Sequence, residues 1–190
     1  DYVMENIELI EEIRDENLYL RKITKNDVSF FYQSLKEKEM TNYLSLGPLR
    51  SFEHSKRLIK NYLRSWDKFL QFNYVIELRE YSSTNRIGSV SLWALNWYHQ
   101  RSGIGIWILP KYWKKGYGTK SIELIKNIAF NHLNLNRIEA HIAIQNDRSI
   151  KMFKKCSFLE EGRLRDYLKI NGNFQDAMIL SCLNPKLLQD

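Results

Sequence analysis

Two lysines and two glycines follow an apolar stretch near the middle of the chain, and their spacing suits the binding of an anion. Residues 114–119 read KKGYGT, after Pro110 and before an amphipathic segment that runs to about residue 131. A helix that begins near Gly116 leaves its first N–H groups unpaired and directs its positive dipole end at the loop. Gly116 and Gly118 can both take a positive φ and let a ligand approach the backbone closely. We therefore predict a phosphate site in a strand–loop–helix unit.

Residues 113–118, WKKGYG, resemble motif A of the GNAT superfamily of N-acetyltransferases, Gln/Arg-x-x-Gly-x-Gly/Ala. Trp113 stands where that family most often has Gln or Arg. The wider pattern P-x-Y-W-x-x-G-x-G-T is similar to the branch that contains the ribosomal-protein N-terminal acetyltransferases. The resemblance implies that the pyrophosphate of acetyl-coenzyme A (acetyl-CoA) is bound by the backbone of Lys114, Lys115, Gly116, Tyr117, Gly118 and Thr119.

A second pattern, N-x-x-S-x-x-x-(Y/F)-x-K-x-x-F, starts at Asn146, about thirty residues further on, and resembles motif B of the same family. From the residues alone, Asn146 is a good helix N-cap. The resemblance adds cosubstrate contacts by Asn146, Phe153 and Lys155. It also implies that two central strands splay apart and that pantetheine pairs with the backbone of Ile106, Trp107 and Ile108.

Acetyl transfer from a thioester to an amine needs positioning, a neutral amine and a proton or hydrogen bond for the departing thiolate. Many family members place a tyrosine on the motif B helix for the last task, but the matching residue here is Phe153. We predict that Ser149, one turn earlier, is the acid or the hydrogen-bond donor to the thiolate. A hydroxyl that only caps the helix or contacts the coenzyme is the alternative.

The general base is harder to assign from the sequence. Related enzymes often begin the fourth strand with Ala-Glu-Ile-Gly, whereas residues 102–105 read SGIG, so that glutamate is absent. We predict Glu139 as the base, with His141 on the same face of its strand. Glu77 and His99 are further candidates. Because an α-amine has a reference pKa of about 8 and a lysine amine about 10.4, the missing strong base favours an N-terminal α-amine acceptor.

Hydrophobic patterning predicts the elements that must position these groups. Strands are expected at residues 18–23, 72–79, 87–95, 136–144, 158–170 and 174–183, in addition to the one before Pro110. The capping residue Ser51 predicts a helix at Phe52–Asp67, and Asn171-Gly172 predicts a hairpin turn. The expected fold is α/β, a GNAT-like mixed, mostly antiparallel seven-stranded sheet with splayed central strands and helices on both faces. Residues 1–17 are expected to be a short helix or frayed extension, and residues 18–190 a single N-acetyltransferase domain.

Composition narrows the class of protein further. The chain has 190 residues and a net charge of +7, with no Gly/Ser/Pro-rich linker, no membrane-spanning apolar run and no leader pattern, so we expect a cytoplasmic protein. Two cysteines without ligand spacing predict no metal site. The positive charge favours anionic partners, but no nucleic-acid motif accompanies it.

The expected reaction is transfer of an acetyl group from acetyl-CoA to a primary amine, with a protein N-terminus of the ribosomal-protein type as the expected acceptor. A polyamine or an aminoglycoside-type amine is the alternative acceptor. A non-catalytic acyl-CoA-binding module is the alternative class, because Gly103, Trp113 and Phe153 depart from the family pattern. The resemblance also allows a homodimer built on the C-terminal hairpin.

Overall fold

The computed structural model describes residues 6–188 as one eight-stranded sheet with helices on both of its faces. The strands are β1 (Glu12–Asp15), β2 (Leu18–Lys22), β3 (Phe72–Arg79), β4 (Thr84–Asn96), β5 (Arg101–Ile108), β6 (Arg137–Ala143), β7 (Leu159–Ile170) and β8 (Asn173–Leu183). The helices are α1 (Val28–Leu35), α2 (Lys38–Thr41), α3 (Phe52–Asp67), α4 (Tyr117–Asn127) and α5 (Asp147–Lys155). Within the described range, no helix combines the length and apolarity needed to cross a bilayer.

The strands lie in the order β1-β2-β3-β4-β5-β6-β8-β7, and every neighbouring pair is antiparallel except β5 and β6. The predicted mixed, mostly antiparallel α/β architecture is therefore confirmed. The sheet has eight strands rather than seven because β1 pairs with β2 along residues 12–15. The interpretation of this stretch as a short helix or frayed extension is wrong, since Ile7, Ile10 and Ile13 also pack on the main core. Residues 1–5 of that extension lie outside the described residues.

The two faces of β3 supply two separate cores. Tyr74 and Ile76 are fully buried in the larger core, on the face covered by α4. Val75 points the other way, into a smaller core with Phe31 of α1 and Ile59 of α3. Since successive strand residues face opposite sides, a strand that is buried on both must be apolar almost throughout. The sheet is thus covered on both faces, as predicted.

Local sequence signals fix several boundaries. Ser51 Oγ accepts a hydrogen bond from the His54 N–H at 3.0 Å, and α3 starts and ends at the predicted residues. Asn171 and Gly172 have φ values of 50° and 83°, as the tight turn between β7 and β8 requires. These elements are specified by capping and turn chemistry within a few residues.

The middle of the sheet opens where its one parallel pair ends. Strand β5 pairs with β6 only along residues 101–103 and 137–139. Beyond Gly103, β5 continues beside β4 alone, while β6 continues beside β8. The predicted splaying of the central strands is therefore present, and it leaves the β6-facing backbone edge of β5 available to a ligand.

Candidate active site

One cleft, formed by two adjoining cavities, runs through the opening between β5 and β6. The first cavity, of about 520 Å³, lies between the two strands and is called the acceptor cavity here. The second, of about 930 Å³, lies beside the start of α4 and is called the cosubstrate cavity. The residues that line both are Tyr43, Leu44, Ile106, Trp107, Asn146 and Ser149. A group bound in one cavity can therefore meet a group bound in the other at these six residues.

The start of α4 has the geometry expected of an anion site. Gly116 is the N-cap with φ of 82°, no side chain caps the helix, and Lys114 has φ of 60°. The first N–H groups of α4 consequently have no intrahelical partner and face the cosubstrate cavity. Backbone donors, a helix dipole and a neighbouring lysine together fit a phosphate group.

Gly118 has a different role from the predicted one. It lies in the first turn of α4 and is not among the positive-φ residues. A Cβ at this position would come within 2.3 Å of Met152 Sδ on α5. Its missing side chain therefore lets α4 and α5 pack closely, and helix packing rather than a left-handed backbone explains the glycine.

Most of the residues predicted to bind acetyl-CoA are brought together at the cosubstrate cavity. Its lining includes Ile106, Trp107, Ile108, Lys114, Gly116, Tyr117, Gly118, Thr119, Asn146 and Lys155. Lys115 does not line it, and its ammonium lies 6.0 Å from the ring centroid of Tyr112. Phe153 lines the acceptor cavity instead and stacks on Phe158 in the core.

Ser149 sits where the two cavities join. It lies in the first turn of α5, and its N–H donates to the Asn146 side chain at 3.3 Å, which confirms Asn146 as the N-cap. The Ser149 hydroxyl makes no hydrogen bond to any residue within 6–188. It is thus placed to donate to a ligand atom at the junction.

His141, rather than Glu139, faces the acceptor cavity. The ring Nε2 lies 3.0 Å from Glu139 Oε1, and Arg137 Nε donates to the other Glu139 oxygen at 3.0 Å. A carboxylate only accepts, so in the neutral ring the proton is on Nε2 and Nδ1 keeps its lone pair. Both oxygens of Glu139 are engaged by these two partners. The role of general base, which we predicted for Glu139, therefore fits His141 better.

The Glu139 carboxylate is held by a longer polar chain at the β6–β8–β7 side of the sheet. Arg137 also pairs with Glu161 through both of its terminal nitrogens, and Ser181 Oγ donates to Glu161 at 2.8 Å. The hydrogen bond from Arg137, with help from Ser181, lowers the pKa of Glu161 to about 2. The orientation of His141 therefore rests on a fixed ionic network.

The depressed pKa of Glu161 predicts a pH-dependent contribution to stability. The contribution is present above pH 4.5, the ordinary value for glutamate, and is lost as the pH falls towards about 2. Glu161→Gln should be less stable than wild type in urea unfolding at about pH 6, with the difference shrinking at about pH 3. A difference that stays constant over this range would contradict the assignment.

The other two base candidates lie away from the cleft. Glu77 is buried and ion-paired with Arg21 at 2.9 Å and Arg79 at 3.0 Å. His99 lies between β4 and β5, with its N–H bonded to Asn96. Neither lines either cavity. Among the four candidates, only His141 can reach an acceptor amine directly.

Aromatic residues that the sequence analysis did not single out form the wall around His141. The Trp93 and Tyr167 rings contact the His141 ring edge-on at centroid distances of 5.3 Å and 5.0 Å. Trp93 reaches His141 by crossing Gly103, where a Cβ would come within 2.2 Å of the indole. Related enzymes often carry a glutamate at this position. Here the Trp93 indole occupies the space that a side chain at residue 103 would need.

The acceptor cavity carries no ionic side chain among the described residues. Its polar lining consists of neutral groups, including Gln71, Asn73, Ser91 and Tyr62, besides His141. Burial raises the pKa of Tyr62 to about 12, so its hydroxyl stays neutral and can donate. The cavity suits a ligand with a neutral, partly apolar body.

Comparison with known proteins shows the family to which this chain belongs. The family model described as "Acetyltransferase (GNAT) domain" matches residues 17–159. The chain belongs to the GNAT acetyltransferases. It is an acetyl-CoA-dependent N-acetyltransferase.

Individual relatives of this GNAT enzyme differ in their acceptors. Spermidine N(1)-acetyltransferase of Vibrio cholerae is 28% identical over 171 residues, which is 90% of this chain and 95% of that protein. A crystal structure of spermidine N-acetyltransferase from Vibrio cholerae, in complex with CoA and spermine, has a TM-score of 0.81 at 27% identity, covering 92% of this chain and 100% of that one. YdaF of Bacillus subtilis, provisionally named a ribosomal N-acetyltransferase, is 34% identical over 96 residues, 50% of this chain and 52% of that protein.

Proposed function

We propose that this enzyme acetylates the N-terminal α-amine of a protein or peptide. The observation that carries the proposal is the absence of carboxylates from the acceptor cavity, among the residues the structure describes. A polyamine brings two or more positive charges into its site, and a buried charge without a partner is costly. An N-terminal amine attacks in its neutral form and brings a neutral peptide behind it.

The neutral polar groups of the acceptor cavity suit a peptide backbone. Gln71 Nε2 donates to Asn73 Oδ1 at 2.9 Å, which leaves the Asn73 amide and one Gln71 hydrogen for further bonds. Asn73 and Ser91 are opposite each other on β3 and β4. Amide and hydroxyl groups that donate and accept can pair with a peptide N–H and C=O.

In the proposed reaction, His141 is the general base. The lone pair of the amine forms the C–N bond to the thioester carbon, and the carbonyl π electrons move to oxygen. The excess proton on nitrogen passes to Nδ1 of His141 and from there to water, while Glu139 holds the ring through Nε2. When the carbonyl re-forms, the C–S bond breaks and its electron pair leaves on sulfur.

Ser149 is proposed to stabilise the departing thiolate. Its hydroxyl lies at the junction of the two cavities, where the thioester must meet the amine. A hydroxyl is too weak an acid to lose its proton completely to a thiolate, so the role is a donated hydrogen bond. Of the two roles predicted for Ser149, acid or hydrogen-bond donor to the thiolate, the proposal therefore keeps the second.

A polyamine is the second candidate acceptor because of the similarity to spermidine acetyltransferases over nearly the whole chain. The carboxylates of the cleft, Glu37 and Glu39, line the cosubstrate cavity rather than the acceptor cavity. A polyamine would therefore have to extend past Tyr43, which lines both cavities, to reach them.

Measuring turnover with a set of amines distinguishes the two candidate acceptors, an N-terminal α-amine and a polyamine. We expect a peptide with a free N-terminal Ala or Ser to give a kcat/KM at least about tenfold above that of spermidine, since one uncompensated charge costs more than about 1.4 kcal/mol. The measurement is thiol release from acetyl-CoA, with mass spectrometry of the product.

The matched control is the same peptide with its N-terminus blocked and one internal lysine, which should not be acetylated. Faster turnover of spermidine would overturn the α-amine proposal in favour of a polyamine. Binding of acetyl-CoA without turnover of any amine would instead indicate the non-catalytic acyl-CoA-binding module.

A further inference from the structure

Trp113 occupies the motif A position where Gln or Arg is most common, and its indole is fixed in place. Its Nε1 donates to the Ile108 carbonyl at the end of β5 at 2.7 Å. The ring therefore stands between the end of that strand and the loop that leads into α4. An immobile aromatic face at this point can serve as a platform for another group.

Arg148 of α5 lies on that platform. Its guanidinium carbon is 3.5 Å from the centroid of the Trp113 ring, which is a close cation–π stack. Partial burial lowers the pKa of Arg148, but a guanidinium remains charged. Among residues 6–188, no carboxylate lies within ion-pair distance of Arg148. The guanidinium thus lies over the indole without an ion-pair partner.

The stack lies on the wall of the cosubstrate cavity. Trp113 and Arg148 line that cavity together with Gly116, Gly118 and Thr119 of the α4 start. We propose that Arg148, held on the Trp113 indole, binds the pyrophosphate of acetyl-CoA and supplies from α5 the cationic group that residue 113 lacks. The inference rests on acetyl-CoA being the cosubstrate and does not depend on the acceptor amine.

The chemistry of the two groups explains why they work as a pair. A guanidinium offers a planar fork of donors that matches two phosphate oxygens, and stacking on an indole leaves the edge of that fork free. Fixing the side chain before binding also removes part of the entropy cost of ordering it. Glu37 and Glu39 line the same cavity and oppose an anion, so a fixed cation at Arg148 offsets their effect.

The test is isothermal titration of CoA and of 3′-dephospho-CoA into wild type and variants. Arg148→Gln should raise the Kd for CoA about 10- to 100-fold, as expected for lost charge-assisted hydrogen bonds. Arg148→Lys should recover only part of the loss, because an ammonium has no bidentate fork. The same ratio of variant to wild-type Kd should hold for 3′-dephospho-CoA, because both ligands contain the pyrophosphate.

Trp113→Leu should weaken binding about 2- to 30-fold. The Trp113→Leu, Arg148→Gln double variant should bind no more weakly than Arg148→Gln alone, because Trp113 acts through Arg148. Lys154→Gln is the matched control: it removes one positive charge from the same helix, outside the cavity, and should leave the Kd near that of wild type. Thermal unfolding establishes that each variant is folded.

Two results would overturn the inference. One is a Kd for Arg148→Gln equal to that of Lys154→Gln, and the other is a loss that vanishes with 3′-dephospho-CoA, which would assign Arg148 to the 3′-phosphate. A folded wild type that binds neither ligand would instead refute the cosubstrate assignment itself.

Discussion

Replacing His141 with glutamine should lower kcat for an α-amine acceptor about 10²- to 10³-fold, the usual range for loss of a positioned general base. His141 lines the acceptor cavity and not the cosubstrate cavity, so the Kd for acetyl-CoA should not change. The loss should therefore be found in kcat and kcat/KM, measured by steady-state thiol release, while titration calorimetry with acetyl-CoA gives the wild-type value.

The basicity of the acceptor distinguishes a base from a residue that only shapes the cavity. A weakly basic amine such as trifluoroethylamine loses its excess proton readily after attack, so the defect of His141→Gln should shrink with it. Glu139→Gln should cause a smaller loss in the same pattern, because the amide oxygen can still accept from Nε2 without stabilising the ring's positive charge. His99→Gln, outside the cleft, is the control. An equal loss for all amines would show that His141 is not the base.

The parts of this fold that could be predicted from the sequence are those set by neighbouring residues. The limits of α3 follow from the Ser51 cap and an apolar stripe, and the β7–β8 turn follows from Asn171-Gly172. The residues around Gly116 were found for the same reason, because a glycine loop followed by an amphipathic helix is a local pattern. Their physical cause lies within one or two turns of chain.

The missed features depend on residues that meet only after folding. Strand β1 has four residues, and its pairing with β2 is stabilised by Ile13 packing on a core that the rest of the chain builds. Arg148 reaches Trp113 only because α5 packs against α4. No local pattern marks either contact, since an arginine in the first turn of a helix looks the same in the sequence with or without a partner.

The glycine at residue 103 is a feature that the sequence shows without showing its cause. The sequence showed that the glutamate of related enzymes is missing at residue 103. Only the structure gives the reason: ring atoms of Trp93 would lie 2.2 to 2.5 Å from a Cβ there. The indole occupies the space beside β5 and contacts His141, so a side chain at residue 103 and the indole exclude each other.

Gly103→Ala should therefore destabilise the protein by about 1 to 3 kcal/mol, the usual cost of overpacking, and displace Trp93 from His141. The measurement is the free energy of unfolding in urea, together with kcat for the α-amine acceptor, and both should fall. Gly105→Ala is the matched control on the same strand, because its Cβ would be 3.6 Å from its nearest neighbours and should be tolerated.

A double variant separates the clash with Trp93 from any general intolerance of β5. If the indole is the cause, Trp93→Ala should remove most of the cost of Gly103→Ala, giving a coupling energy of about 1 kcal/mol or more between the two sites. Activity should stay low in the double variant, because the wall beside His141 is gone even though the strand is relieved. Equal stability of Gly103→Ala and Gly105→Ala, or strictly additive effects in the double variant, would mean that Trp93 does not determine the glycine at residue 103.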